Sequence, residues 1–220
     1  MLKKQSRVDC CVYLDTNIIT DAIYAKYLPG KSNPLQQTIA SDFDSLRREV
    51  LQPHGGKVIC VNRFQLDVEL KRAVLNEFLK NACKLKPEDL ITLNNEIENL
   101  IMTFKRMQKL GFVIIVEYPD AELADVARRL YIACKSRGLL GKGRKVGSQD
   151  LIVVASMYLL LANKCSSLEF WTEDRHLYEL LRDLSKLCSS RSHSYTYTLI
   201  FYDKNINRRT SPSQLYLCIP

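Results

Sequence analysis

A chain of 220 residues, 46% of them hydrophobic, is long enough for one sizeable α/β domain and apolar enough to bury a core. Its longest apolar run, residues 151–162, falls short of the roughly 18 residues that a membrane span needs. A formal net charge of +8 favours a polyanionic partner such as nucleic acid, although a solvated basic surface is the simpler explanation.

The eight cysteines are scattered through apolar segments, and no Cys-x-x-Cys pair occurs. Zinc is therefore not expected, and buried reduced thiols are predicted. Residues 1–7 lack the apolar segment of a signal peptide. We therefore expect an intracellular, cytoplasmic protein with no membrane partner.

Hydrophobic periodicity and Gly/Pro breakers predict five strands separated by helices. The strands are predicted at 11–14, 57–61, 112–116, 168–171 and 195–202, and the helices at 18–28, 36–51, 64–83, 87–110, 120–137, 148–162 and 174–187. The apolar patch at 215–219 is a candidate edge strand. Helix 148–162 becomes apolar all round, which predicts a helix buried on every side.

This order of elements predicts an α/β fold, a three-layer α/β/α sandwich with a mostly parallel five-stranded sheet. There is no convincing linker and no internal repeat, so a single domain over residues 1–220 is expected. Its core would cover about residues 10–203, followed by a basic tail at 204–220.

Four acidic residues stand at a predicted strand's carboxyl end or early on the following helix: Asp15, Glu69, Asp150 and Asp174. Because parallel strands end at the same edge of a sheet, we expect these side chains to share one pocket. Simpler explanations exist, namely helix capping, complementing a helix dipole, or plain surface exposure. Asp67 competes with Glu69, but two residues on a helix are about 200° apart, so only one can face the pocket. Glu69 is preferred because it neighbours an apolar stripe.

Four clustered carboxylates repel one another unless a cation neutralises them. Oxygen-only ligands favour a hard ion, Mg²⁺ or Mn²⁺. Such an ion beside basic segments suits phosphodiester hydrolysis, in which the metal polarises the phosphoryl oxygen and activates a water.

Four short motifs, in this order and on these elements, resemble those of the PIN-domain ribonucleases, a family that includes the toxins of many toxin–antitoxin pairs. Residues 14–17, Leu-Asp-Thr-Asn, are similar to the first motif, and residues 66–73 to the helix that bears the second acid. Residues 149–155 and 170–174 are similar to the third and fourth motifs. The resemblance covers roughly residues 12–202.

The resemblance implies a PIN-like fold and a Mg²⁺- or Mn²⁺-dependent endoribonuclease, a hydrolase acting on single-stranded RNA. It implies catalytic and metal-binding roles for Asp15, Glu69, Asp150 and Asp174, with Asn17 and Thr172 in support. It also suggests a protein inhibitor (an antitoxin) as a partner and a homodimer as an assembly. The enlarged region 20–57 and the enlarged tail speak against a toxin role more than against the nuclease fold.

Two other enzyme or signalling classes fit less well. A phosphotransferase of the haloacid dehalogenase type needs a second Asp where this chain has Asn17, and a response-receiver domain is shorter. The stronger alternative is a catalytically silent PIN-like scaffold that binds RNA or a protein.

A glycine-rich basic loop at 138–147 carries Lys142, Arg144 and Lys145 a few residues before Asp150. Chain length would keep these cations near the pocket's mouth, where they would bind RNA phosphates without sequence preference. A flexible loop that touches nothing is the alternative.

Overall fold

The computed structural model describes residues 7–52, 56–80, 85–117, 120–140, 147–188 and 194–218. Within these ranges the strands are β1 (Val8–Leu14), β2 (Lys57–Asn62), β3 (Val113–Val116), β4 (Cys165–Thr172), β5 (Tyr195–Asp203), β6 (Arg208–Arg209) and β7 (Ser213–Leu217). The α-helices are α1 (Thr16–Tyr27), α2 (Pro34–Val50), α3 (Leu70–Lys80), α4 (Pro87–Lys109), α5 (Ala121–Ser136), α6 (Ser148–Asn163) and α7 (Arg175–Cys188). A π-helical turn, Gln65–Glu69, precedes α3.

The strands form one mostly parallel sheet in the order β3-β2-β1-β4-β5-β6, with β7 also paired to β5. The neighbours from β3 to β5 are parallel, whereas β6 and β7 run antiparallel to β5. The prediction of a mostly parallel sheet is confirmed, whereas the described part of the chain contributes seven strands to it and not the predicted five. Strand β7 corresponds to the candidate edge strand, and the two-residue β6 is too short to leave a periodic pattern.

Alternate residues of the central strands enter two separate apolar cores. Val12 and Leu14 of β1 pack with helices α1 to α4, while Cys11 and Tyr13 pack with α5 to α7. Period-two alternation explains the division, because successive side chains of a strand point to opposite faces. Helices therefore cover both faces of the sheet, which is the layout of a three-layer sandwich.

Helix α6 has no exposed residue from Asp150 to Ala162, as its apolar composition predicts. None of the described helices is both long and apolar enough to cross a membrane.

One disulfide ties the end of α7 to the end of the edge strand β7. Cys188 and Cys218 are bonded, with 5.5 Å between their Cα atoms. The prediction of reduced thiols is wrong for this pair, because 30 residues separate the two cysteines and no local motif marks them. Among the described residues, the free thiols are those of Cys10, Cys11, Cys60, Cys134 and Cys165.

We expect reduction of this disulfide to lower the free energy of unfolding by about 2–4 kcal/mol, because the bond restricts a loop of this length in the unfolded chain. Urea denaturation with and without a thiol reductant measures the change. The Cys188→Ser variant is the control and should be insensitive to reductant. An equal response of the variant and the unaltered protein would contradict the prediction.

Candidate active site

A cleft of about 250 Å³ lies at the carboxyl edge of the parallel strands. It is lined by the four acidic residues selected from the sequence, Asp15, Glu69, Asp150 and Asp174, together with Asn17. The acids arrive on four separate elements: the end of β1, the π-helical turn after β2, the first turn of α6, and the end of β4. The structure therefore brings together side chains that are up to 159 positions apart in the chain.

Asp15 combines the two roles that the sequence left open. It is the N-cap of α1, where its Oδ1 accepts a hydrogen bond from the Thr16 amide at 2.8 Å. Its Oδ2 accepts a second bond from the Thr172 hydroxyl at 2.6 Å. The carboxylate thus caps the helix and also lines the cleft, so capping does not compete with a site role.

The Thr172 hydroxyl connects two of these acidic residues, and its predicted supporting role stays a prediction. The side chain is fully buried, and its oxygen donates to Asp15 while accepting from the Asp174 amide at 3.0 Å. One hydroxyl therefore links the carboxylate after β1 to the backbone that carries the carboxylate after β4.

Glu69 is positioned by two residues that the sequence analysis missed. The Thr16 hydroxyl donates to Glu69 Oε2 at 2.8 Å. Gln65 is buried and donates from its Nε2 to the Leu14 carbonyl at 2.9 Å. Gln65 and Asn62 also exchange reciprocal amide-to-side-chain hydrogen bonds, the capping-box pattern that Asn-x-x-Gln in the sequence signals.

The structure places Glu69, and not Asp67, on the cleft. Asp67 is nearly half exposed and its Oδ1 lies 3.8 Å from Lys105 Nζ on α4. The π-helical turn sets this orientation, and such turns are frequent at functional sites.

Asp150 and Asp174 each cap the start of a helix while lining the cleft. Asp150 Oδ2 accepts from the Gly147 amide at 2.7 Å. Asp174 Oδ1 accepts from the amides of His176 and Leu177 at 2.7 and 3.0 Å. Both residues were expected at least to complement helix dipoles, and their hydrogen bonds to N-terminal amides are compatible with that role and with a place in the cleft.

Burial and mutual repulsion raise the pKa values of three carboxyl groups in this cleft, those of Asp15, Glu69 and Asp150. Burial raises the pKa of Asp15 to about 7, against the lowering effect of the Thr172 hydroxyl, and the charge on Asp174 raises it further. Burial also raises the pKa of Glu69 and that of Asp150, and a neighbouring carboxylate adds to the rise in each case. A cation in the cleft would lower these pKa values, because it would stabilise the charged carboxylates against burial and against one another.

A second pair of buried acids, Asp21 and Glu173, lies beside these four and was missed in the sequence. Gln36 Nε2 donates to Asp21 Oδ1 at 3.0 Å, and Lys204 Nζ lies 2.6 Å from Glu173 Oε1. Burial raises the pKa of Glu173, and the charge on Asp21 raises it further. An Asp inside the apolar stretch of α1 is the sequence signal that could have revealed the pair.

In the part of the chain that the structure describes, no three His, Cys, Asp or Glu side chains form a group that could hold a metal ion. Each carboxylate instead directs an oxygen toward an amide or hydroxyl next to it. The acidic side chains that line the cleft would nevertheless offer only oxygen ligands to a metal ion, which suits a hard divalent cation.

The predicted basic track, Lys142, Arg144 and Lys145, lies outside the described residues, and its role remains a prediction. The cations on the described lining of the cleft are Arg72 and Lys204.

Comparison of the chain with models of known protein families, with curated proteins and with solved structures gives no match. The PIN-domain resemblance therefore rests on the four motifs.

Replacing Asp15 with Asn should stabilise the metal-free protein increasingly as pH rises. The folded Asp15 carboxyl keeps its proton up to a pKa of about 7, whereas the ordinary pKa is 3.8. Between these values the folded state binds more protons than the unfolded state, so the carboxyl's contribution to stability falls as pH rises. The Asn variant has no such titrating group. Its free energy of unfolding should therefore exceed that of the unaltered protein by an amount that grows, between these pKa values, to the order of a few kcal/mol.

Urea denaturation in a chelator, at several pH values from about 4 to about 8, measures this effect. The exposed Asp67→Asn change is the matched control for loss of one negative charge. A difference between the Asp15 variant and the unaltered protein that stays flat over this range would contradict the raised pKa.

Proposed function

We propose that the chain is a Mg²⁺- or Mn²⁺-dependent endoribonuclease of the PIN type that hydrolyses phosphodiester bonds of single-stranded RNA. The observation that supports this proposal is the shared cleft of Asp15, Glu69, Asp150 and Asp174 at the carboxyl edge of the sheet. In open α/β folds this edge is where ligands bind.

The chemistry of the lining favours a divalent cation and a phosphodiester substrate. The cleft presents carboxyl groups whose pKa values are raised by burial first and by neighbouring carboxylates second. A bound Mg²⁺ or Mn²⁺ ion would supply Lewis acidity toward a phosphoryl oxygen and an activated water. An anionic substrate could approach this acidic cleft only with such compensation.

The chain's own residues hold the carboxylates in place. Thr172 and the Thr16 amide fix both oxygens of Asp15, and the Thr16 hydroxyl fixes one oxygen of Glu69. Supporting donors of this kind orient ligating groups and limit their motion. Because the carboxylates do not yet converge as a group of three, ion binding would require some of them to leave a neighbouring donor. Asp150, which accepts from the loop amide of Gly147, is the best placed to do so.

A protein inhibitor and a homodimer follow from the family resemblance alone, and both remain predictions.

We expect the unaltered protein to cleave single-stranded RNA in Mg²⁺ or Mn²⁺ and to lose this activity in a chelator. Asp15→Asn and Asp150→Asn should lower the cleavage rate by at least about a hundredfold, because each removes a charged oxygen donor from the proposed ion site. Cleavage of a labelled oligonucleotide, resolved on a denaturing gel, is the measurement.

Asp67→Asn is the matched control for Glu69→Gln, because both changes neutralise an acid of the same helical turn. Asp67→Asn should retain nearly full activity, since this side chain pairs with Lys105 away from the cleft. Equal damage by the two substitutions would refute the assignment of Glu69.

A silent scaffold that binds RNA or a protein is the second candidate, and one observation favours it. The carboxylates accept hydrogen bonds from neighbouring amides. Among the described residues, no three of them form a group that could hold a metal ion. A scaffold would keep the cleft without binding an ion tightly.

Metal-dependent thermal stabilisation separates the two candidates. An ion that binds only the folded state raises its melting temperature according to its occupancy. For a nuclease we expect Mn²⁺ to raise the melting temperature of the unaltered protein, and to do so much less for Asp15→Asn. The comparison uses the shift caused by Mn²⁺, since the substitution itself alters stability. RNA binding with no shift in either protein would favour the scaffold.

A further inference from the structure

A hairpin from the carboxyl-terminal segment reaches the cleft. Strand β5 leads into a turn at residues 204–207, and β6 returns antiparallel to it. The turn is fixed to α2, because the Leu35 amide donates to Asn207 Oδ1 at 3.2 Å and Arg209 pairs with Asp42 at 3.2 Å. The hairpin is therefore held in one place by α2.

The hairpin presents Lys204 at the rim of the cleft. Lys204 Nζ lies 2.6 Å from Glu173 Oε1, and the Glu173 side chain is only 3% exposed. The Lys204 side chain as a whole is 62% exposed, and it lines the cleft. An anchored ammonium loses less conformational entropy on binding an anion than a freely rotating lysine does.

Strand order places cations on both sides of the carboxylates. Arg72 lies on α3, which follows β2, and Lys204 follows β5. Asp15 and Asp174 end the two strands between them, β1 and β4. Neighbouring strands are about 4.8 Å apart, so the ends of β2 and β5 are separated by about 14 Å.

We propose that Lys204 is a substrate-binding residue whose ammonium, anchored by Glu173, binds a backbone phosphate of single-stranded RNA on the β5 side of the acidic cleft. The inference rests on the proposed function and adds a contact to it. Because contacts to phosphates carry no sequence information, Lys204 should add affinity without base preference.

A purely structural role is the competing explanation. Lys204 compensates the buried acids Glu173 and Asp21, and removing it alone would leave Glu173 without that counter-charge. Loss of RNA binding in Lys204→Ala could then reflect a disturbed fold. Glu173→Gln separates the two roles, because the neutral side chain needs no counterion while its amide oxygen can still accept a hydrogen bond from the Lys204 ammonium and keep it anchored.

The test compares Glu173→Gln with the double variants Glu173→Gln/Lys204→Ala and Glu173→Gln/Lys204→Arg. All three carry Asp150→Asn, so that cleavage does not interfere. Affinity for a labelled oligouridylate in Mg²⁺ is measured by fluorescence anisotropy at several salt concentrations. Lys186→Ala is the control, since Lys186 also pairs with an aspartate, Asp183, but on the last turns of α7.

We expect the Ala double variant to bind several-fold more weakly than Glu173→Gln. Its slope of log affinity against log salt should be lower by about 0.7, the value for one lost phosphate contact on a single strand. The Arg double variant should keep the slope of Glu173→Gln. Lys186→Ala should keep the slope of the protein into which it is introduced. Equal affinity and slope for Glu173→Gln and the Ala double variant, or no binding of oligouridylate by any variant, would overturn the inference.

Cleavage of the same oligonucleotide by the unaltered protein in Mn²⁺ tells the two proposals apart. If the unaltered protein cleaves the oligonucleotide and the Ala double variant binds it as tightly as Glu173→Gln does, only the Lys204 contact is overturned. A weakened Ala double variant without cleavage supports the phosphate contact and overturns the nuclease function.

Discussion

The hydrogen bond from the buried Thr172 hydroxyl to Asp15 is the contact on which the arrangement of the cleft depends. It joins the ends of β1 and β4, two parallel neighbours in the middle of the sheet. The same oxygen accepts from the Asp174 amide, so a single buried atom sets the spacing between two carboxylate-bearing loops. The Asp15 carbonyl also accepts from the Ile18 amide in the first turn of α1. Strand pairing, helix start and cleft geometry are therefore coupled through one residue pair.

This coupling concentrates negative charge at a cost to stability. Asp15 has a pKa near 7 because burial outweighs the two hydrogen bonds that favour its charged form. A fold selected only for stability would place a neutral residue here, since Asn can also cap a helix. The persistence of an unfavourable charge, next to Glu69 and Asp150 with raised pKa values, is the pattern expected of a functional site.

The parts of the fold that the sequence predicted are those governed by local rules. Alternating or continuous apolar runs identified the parallel strands, and an acid after a strand must reach the carboxyl edge whatever the loop conformation. Asp15 and Asp174 could be assigned for that reason. The Cys188–Cys218 disulfide could not, because its partners approach only after α7 and β7 have packed.

The supporting residues of the site were harder to predict. The spacing of Asn62 and Gln65 indicates a capping box, but it does not indicate that the Gln65 side chain also reaches the Leu14 carbonyl. Lys204 lies in a segment that reads as a basic tail, so its place beside Glu173 depends on how the hairpin docks. Both are tertiary effects that periodicity does not encode.

The region 20–57 and the carboxyl-terminal tail contact each other, and each contacts one acid of the second buried pair. The region 20–57 contributes α2, whose Gln36 donates to the buried Asp21, and the tail contributes the hairpin that carries Lys204. Asn207 and Arg209 of the hairpin bind Leu35 and Asp42 of α2. Because α2 contacts Asp21 and the hairpin contacts Glu173, the bonds between the two segments couple the packing of both to the second acid pair.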